Sequence, residues 1–380
     1  MNNRYLISLS GGGYRAALFN AGVLRTLHEA DILRPNLEPD RLHVLVNAVS
    51  GGAIAAEIWN RFLRSEEYDQ DKDSFAPEEA LIALVEGSPR FLGKFNWHWR
   101  GAVIRAQEAW FRHLHAWWRN LELREKPLKL DKNFAKYVSP GDAQCYPVFI
   151  FQSLNYNDGH IIAFHEGRYF EADRDFYERG IPKDVRVENL PAPHGIVSAT
   201  AFPGFFPKVS LPELQLIDAG LVDNQALYNF HPLLKKNAKR VLGPGDTWFL
   251  SNAGREMSVV RDGERLRFSD KVFRLTGDLA QPKMNELIMD IVESGLGCHV
   301  CGVHIAVSHL DEQLWVKGNT IQEAKHSAGF PTTLSYIGRA DALAILSHGA
   351  QCAANAIHVP AKRLGALKNR LIDMDATIRR

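Results

Sequence analysis

Two passages from strand to helix, each turning on glycine, occupy the first sixty residues, and no other feature of the 380-residue chain restricts its fold as much. Tyr5-Leu6-Ile7-Ser8-Leu9 is a short apolar run that ends in Ser10-Gly11-Gly12-Gly13. After it Ala16, Ala17, Leu18, Ala21, Leu24 and Leu27 recur at helical spacing. A second apolar run, Val44-Leu45-Val46-Asn47-Ala48-Val49, reaches Ser50-Gly51-Gly52 and passes into Ala53-Ile54-Ala55-Ala56-Glu57-Ile58-Trp59. Further strands are expected at Val148–Phe151 and Ile161–Phe164, joined as a hairpin by Asn157-Asp158-Gly159, and at Leu214–Ile217, Trp248–Leu250 and Val303–Val307. Helices are expected near Met284–Glu293 and Asp341–Ala356, with a charged helix at the end of the chain. Strands alternating with helices predict an α/β sheet covered on both faces.

Composition removes several classes of function. The 45 Lys+Arg nearly balance the 44 Asp+Glu, so the chain lacks the surplus of positive charge that a general nucleic-acid binder needs. With 46% hydrophobic residues it has ample apolar surface to fold. Four cysteines, Cys145, Cys298, Cys301 and Cys352, are too few for a disulfide scaffold in a chain of this length. Met1-Asn2-Asn3-Arg4 leads into a strand rather than a secretory apolar region, and no apolar run reaches the 18 or so residues of a membrane span, so the expected location is the cytoplasm. No internal repeat or low-complexity tract is present.

Three segments carry chemistry. Ala48-Val49-Ser50-Gly51-Gly52 has the small residues that a nucleophile elbow requires around its serine, with Ala48 where the G-x-S-x-G pattern has glycine. The same spelling also suits a serine that merely caps a helix. Gly11-Gly12-Gly13-Tyr14-Arg15 presents unobstructed backbone N–H groups at a helix start, an anion site that serves a phosphate or the oxyanion of an acyl transfer. The P-loop Gly-Lys-Ser/Thr is absent, and Ala16 stands where the dinucleotide fingerprint wants glycine; a plain glycine turn is the third reading. Asp218, in Ile217-Asp218-Ala219-Gly220-Leu221-Val222-Asp223-Asn224, is either a base at a strand end or an Asx turn that closes the strand.

Taken together, these segments resemble the patatin-like phospholipases, and Ser-Gly-Gly-Gly-Tyr-Arg-Ala also looks like the related cytosolic phospholipases A. The resemblance covers roughly residues 5–232 and includes the run Ser198-Ala199-Thr200-Ala201-Phe202-Pro203-Gly204-Phe205-Phe206-Pro207. It implies a three-layer sheet with helices on both faces and a Ser-Asp dyad without histidine. Ser50 would attack, Asp218 would be the base, and the loop Gly11, Gly12 and Gly13 would form the oxyanion hole. Arg15 would steady that loop or the substrate phosphate. Ala48 and the Asp-Ala-Gly spelling depart from the family pattern but keep small residues where space is short. A histidine-assisted triad would draw on His194 or His304. No cofactor or metal is implied, calcium included.

The resemblance further implies ester hydrolysis of membrane glycerophospholipids through an acyl-enzyme, with a non-specific carboxylesterase, an acyltransferase or a relict lipid- or nucleotide-binding protein as alternatives. Residues of about 65–140 read as an inserted helical cap within a catalytic domain of residues 5–232; residues 233–380 would complete the fold or carry regulation. The cap holds Trp97, Trp99, Trp110, Trp117 and Trp118 among basic residues, a composition suited to a bilayer surface or to packing on the core. The expected partner is that surface, reached peripherally. A cyclic oligonucleotide activator, as in bacterial anti-phage effectors of similar layout, is a further expectation from resemblance, with Lys235, Lys236, Lys239 and Arg240 as phosphate contacts. A DNA or RNA duplex is not expected, and oligomerisation is left open. Cys298-His299-Val300-Cys301-Gly302-Val303-His304 offers three metal ligands where structural zinc wants four, so core packing is the expectation there.

Overall fold

The computed structural model describes residues 5–34, 44–65, 74–88, 147–165, 168–171, 193–203, 208–211, 214–227, 246–254, 300–306 and 321–357, with single positions between them. The order is β1 (Tyr5–Leu9), α1 (Gly13–Glu29), β2 (Val44–Val49), α2 (Gly51–Leu63), α3 (Ala76–Glu86), β3 (Val148–Asn155), β4 (Ile161–His165), β5 (Arg168–Glu171), α4 (Pro193–Ala199), β6 (Val209–Leu211), β7 (Leu214–Asp218), β8 (Asp246–Asn252), β9 (Val300–Ala306), α5 (Ile321–Gly329) and α6 (Arg339–Ile357). A mixed sheet runs β5-β4-β3-β2-β1-β8-β9, with β7 also on β3 and β6 on β7. The pairs β3-β2, β2-β1, β1-β8 and β8-β9 are parallel, whereas β4, β5, β6 and β7 pair antiparallel. The expected hairpin forms at Asn157-Asp158-Gly159, where Gly159 takes φ +78° and donates to the Asn155 carbonyl at 2.8 Å.

Every residue of α1 is buried, because the helix lies against the sheet and is flanked by α2, α3 and α6. Its polar side chains therefore have internal partners. Asn20 Nδ2 donates to the Ser10 carbonyl at 2.9 Å, and Ser251 Oγ donates to Asn20 Oδ1 at 2.6 Å. Arg25 makes a two-pronged ion pair with Glu78 of α3, both bonds 2.7 Å, beneath the rings of Trp59 and Phe75. Burial of the two opposite charges is tolerated here because they pair in two-pronged fashion, with the Ser74 carbonyl accepting from Arg25 at 2.6 Å and Glu29 3.6 Å from its Nη1.

One expectation about organisation is corrected. Leu81, Ile82, Leu84 and Val85 of α3 belong to the main core, so the stretch from 74 to 88 is scaffold rather than cap. The acidic residues Glu66, Glu67, Asp69, Asp71 and Asp73 all precede α3, and the acid nearest the helix start, Glu78, is neutralised internally by Arg25. Beyond residue 233, β8 and β9 extend the sheet and α6 packs on α1. The five cap tryptophans, the expected helix at 284–293 and the terminal helix lie outside the described residues. The opposite face of the sheet has its own cluster, including Val49, Ile150, Leu154 and Ile217. Among the described residues no α-helix contributes to that cluster, which takes in the 3-10 turn Ala219–Leu221.

Candidate active site

The sheet register brings Ser50 and Asp218 together. Strand β2 ends at Val49, opposite Gln152 of β3, and the chain turns into α2 at Ser50. Strand β7 approaches along the same edge of β3 from the other direction and ends at Asp218, opposite Ser153. The two strands thus meet nearly end to end, one residue apart in the β3 register. Their backbones are also tied to one segment: Ser50 N–H donates to the Ala199 carbonyl at 3.1 Å, and Asp218 N–H donates to the Ala201 carbonyl at 3.0 Å. That segment belongs to the small-residue run of the sequence, whose compactness lets it pass between the two strand ends.

Ser50 has φ +51° and ψ −123°, a backbone conformation that L residues rarely adopt. The turn is compact because its flanking glycines lie against other backbone: a Cβ at Gly51 would stand 2.0 Å from the Gly13 carbonyl oxygen, and one at Gly52 would stand 2.5 Å from that of Leu9. Although Ser50 occupies the N-cap position of α2, its side chain makes no capping hydrogen bond. The capping reading is thereby removed. The half-buried hydroxyl is left beside the Asp218 carboxyl, close enough to lower its pKa.

Asp218 is completely buried. Its Oδ1 accepts the Gly220 N–H at 2.7 Å, so the Asx turn is present as well. Its Oδ2 has no hydrogen-bond partner within the usual distance among the described residues. Burial dominates the electrostatics and pushes the carboxyl from 3.8 up to about 7, with the Ser50 and Gly220 contacts opposing the rise. A carboxyl with a pKa near neutrality is matched to the work of a general base.

The glycine loop divides its labour. Gly11 N–H donates to the Asn224 carbonyl at 2.8 Å, so Gly11 is corrected from oxyanion donor to a packing position against Ser50 and Asn224. Among the described residues no acceptor is found for Gly12 or Gly13 N–H, which open the N-terminus of α1 next to the serine turn. Gly12 takes φ +135°, and Tyr14 N–H fixes the next position by donating to the Thr333 carbonyl at 2.8 Å. Arg15 is buried: Nη1 donates to the Phe330 carbonyl at 2.7 Å and Nη2 to that of Ala253 at 2.8 Å. Of its two expected roles the structure favours holding the loop.

The side chains of His194 and of the Cys298–His304 motif lie outside the described residues, although Val300–His304 belong to β9. Among the described residues no group of three potential ligands is placed to hold a metal, and no helix is long and apolar enough to cross a membrane. Asn224 escapes sequence reasoning about the site. Its only local signal is its place in the segment that begins with Asp218; its approach to Gly11 is made by the fold.

Three comparisons bear on this arrangement. The chain is 13% identical to human GIVD cytosolic phospholipase A2 in complex with methyl gamma-linolenyl fluorophosphonate, with a TM-score of 0.45 over 98% of this chain and 58% of that one. Against human GIVD cytosolic phospholipase A2 alone the identity is 11% and the TM-score 0.46, over 97% and 60%. Against VipD from Legionella pneumophila the identity is 9% and the TM-score 0.37, over 94% and 67%. The chain thus spans about three fifths of the length of the human protein. No curated protein matches it. A family model described as patatin-like phospholipase matches residues 7–233, a span that takes in both strand-to-helix turns and the aspartate strand. A match over more than half of the sequence settles the membership: this chain belongs to the patatin-like phospholipase family.

Proposed function

We propose that the chain is a serine lipid acyl hydrolase that cleaves ester bonds of glycerophospholipids, with Ser50 as nucleophile and Asp218 as its single partner. The observation that carries this reading is the meeting of a strained, uncapped Ser50 with a buried carboxyl whose pKa is lifted to about 7. In the ionised state Asp218 takes the proton of Ser50 as Oγ attacks the ester carbonyl, and then returns it to the departing alcohol. Gly12 and Gly13 N–H, at the positive end of α1, supply the oxyanion contacts, each worth about 3–4 kcal/mol when well placed. The acyl group remains on Ser50 until water releases it.

The test is covalent labelling by a fluorophosphonate together with release of fatty acid from phospholipid vesicles. Wild type should do both, Ser50→Ala neither, and Asp218→Ala should lose hydrolysis. A wild type that is inert in both assays sinks the proposal. Comparing phosphatidylcholine vesicles with a soluble short-chain ester separates a phospholipase from a general carboxylesterase. Activation by a cyclic oligonucleotide, and with it a role in antiviral defence, rests on the sequence resemblance alone; Lys235, Lys236, Lys239 and Arg240 lie outside the described residues. Adding cyclic di- and trinucleotides to the same assay should raise the rate if that switch exists, and full activity without them removes it.

A further inference from the structure

Asn224 stands where the two halves of the site meet. A methyl group placed on Gly11 would lie 2.3 Å from Asn224 Oδ1 and 2.9 Å from Ser50 Cβ. A methyl group placed on Gly220 would lie 3.0 Å from Asn224 Oδ1 and 3.0 Å from Asp218 Oδ1. The amide oxygen therefore lies against two glycines, one packed on Ser50 and the other beside Asp218. Its backbone is fixed there, because the Asn224 carbonyl accepts Gly11 N–H at 2.8 Å and Asp223 Oδ1 caps the next turn by accepting Leu227 N–H at 3.0 Å. The carboxamide itself is half-buried and has no hydrogen-bond partner among the described residues.

A hydrolase that works through an acyl-enzyme must orient a water molecule as well as a substrate. Water has two O–H groups. One must point at the base, and the other needs an acceptor so that the oxygen lone pair faces the acyl carbon. Asp218 provides the first acceptor. We propose that Asn224 Oδ1 provides the second, which makes Asn224 the residue that positions the deacylating water. The inference rests on the Ser50–Asp218 reading of the site. In the step itself the water oxygen forms a bond to the acyl carbonyl carbon while its proton passes to Asp218. The bond from that carbon to Ser50 Oγ then breaks, the proton returns from Asp218 to Oγ, and the fatty acid leaves with the free serine restored.

Such a role affects one half of the reaction. In Asn224→Ala, the rate of fluorophosphonate labelling should stay within about threefold of wild type, since attack by Ser50 does not use this water. Turnover of p-nitrophenyl butyrate should fall at least tenfold, with a stoichiometric burst of p-nitrophenol and a butyryl adduct on Ser50 seen by intact mass. Asn224→Asp, which keeps an acceptor in place, should recover much of the lost deacylation. Equal losses of labelling and turnover would assign Asn224 to packing, and unchanged turnover would remove it from the reaction; either result overturns the inference while leaving the dyad in place. A wild type without labelling or hydrolysis overturns the dyad reading, and this inference with it.

Discussion

Asp218→Asn isolates the electrostatic cost of the proposed base. Asparagine keeps the shape and the acceptor that Gly220 N–H uses at 2.7 Å, but it never ionises. In the unfolded wild type the carboxyl has an ordinary pKa near 3.8, and in the folded protein it loses its proton at about 7. Between those values the folded state binds a proton that the unfolded state has released, so stability falls as pH rises through the window and levels off above it. One unit of pKa is worth about 1.4 kcal/mol, so burying the ionised carboxyl costs on the order of 4 kcal/mol at pH 8 relative to pH 3. The variant should therefore gain on wild type by a few kcal/mol between pH 4 and pH 8 while losing hydrolysis. Urea unfolding of both proteins at pH 5, 6.5 and 8 reads the difference directly. The hydrolytic rate of wild type should rise with pH over the same range, with a midpoint near 7. A stability difference that does not grow with pH, or a wild-type rate that is flat across neutrality, would refute the reasoning.

Three other perturbations have definite outcomes. Ser50→Gly places at φ +51° the one residue that adopts it freely, so it should abolish labelling while raising stability by about 1–3 kcal/mol, measured by chemical denaturation. Gly12→Ala forces a side chain onto φ +135° beside Ala16 and turns an oxyanion donor, so kcat on a soluble ester should fall by roughly a hundredfold or more with the fold retained by circular dichroism. Arg25→Ala leaves Glu78 buried without its partner and should cost about 3–5 kcal/mol, whereas the double variant Arg25→Met with Glu78→Leu should recover most of the loss in thermal denaturation.

The parts of this molecule that are local in sequence are the parts that reading it reveals. The two glycine turns, the hairpin at Asn157-Asp158-Gly159 and the long helix near 341–356 each declare themselves within a dozen residues, because turn chemistry and periodicity act at that range. The elbow serine and the aspartate are legible in the same way, as residue types at strand ends. What brings them together is the change of partner along β3, from parallel β2 to antiparallel β7, and nothing in either strand encodes that register. The loss of Gly11 N–H to the Asn224 carbonyl is likewise a contact between segments far apart in the chain. Helix α3 shows the opposite failure: its glutamates suggest solvent, yet Glu78 is enclosed because Arg25, 53 residues earlier in α1, is enclosed with it.

For the proposed hydrolase, the end-to-end meeting of β2 and β7 also decides when the site is complete. Pairing between β7 and β3 spans three residues, from Ser153 to Asn155, and it is the last link that carries Asp218 to the serine. A nascent chain that has already built β1, α1, β2 and α2 holds the proposed nucleophile without its proposed base, and should stay inactive until residues beyond 218 have emerged and docked. The same short pairing works in reverse under stress. Fraying of β7 would separate the proposed catalytic pair while the parallel core of the sheet is still intact, so hydrolysis should fade at a lower temperature or urea concentration than the fold.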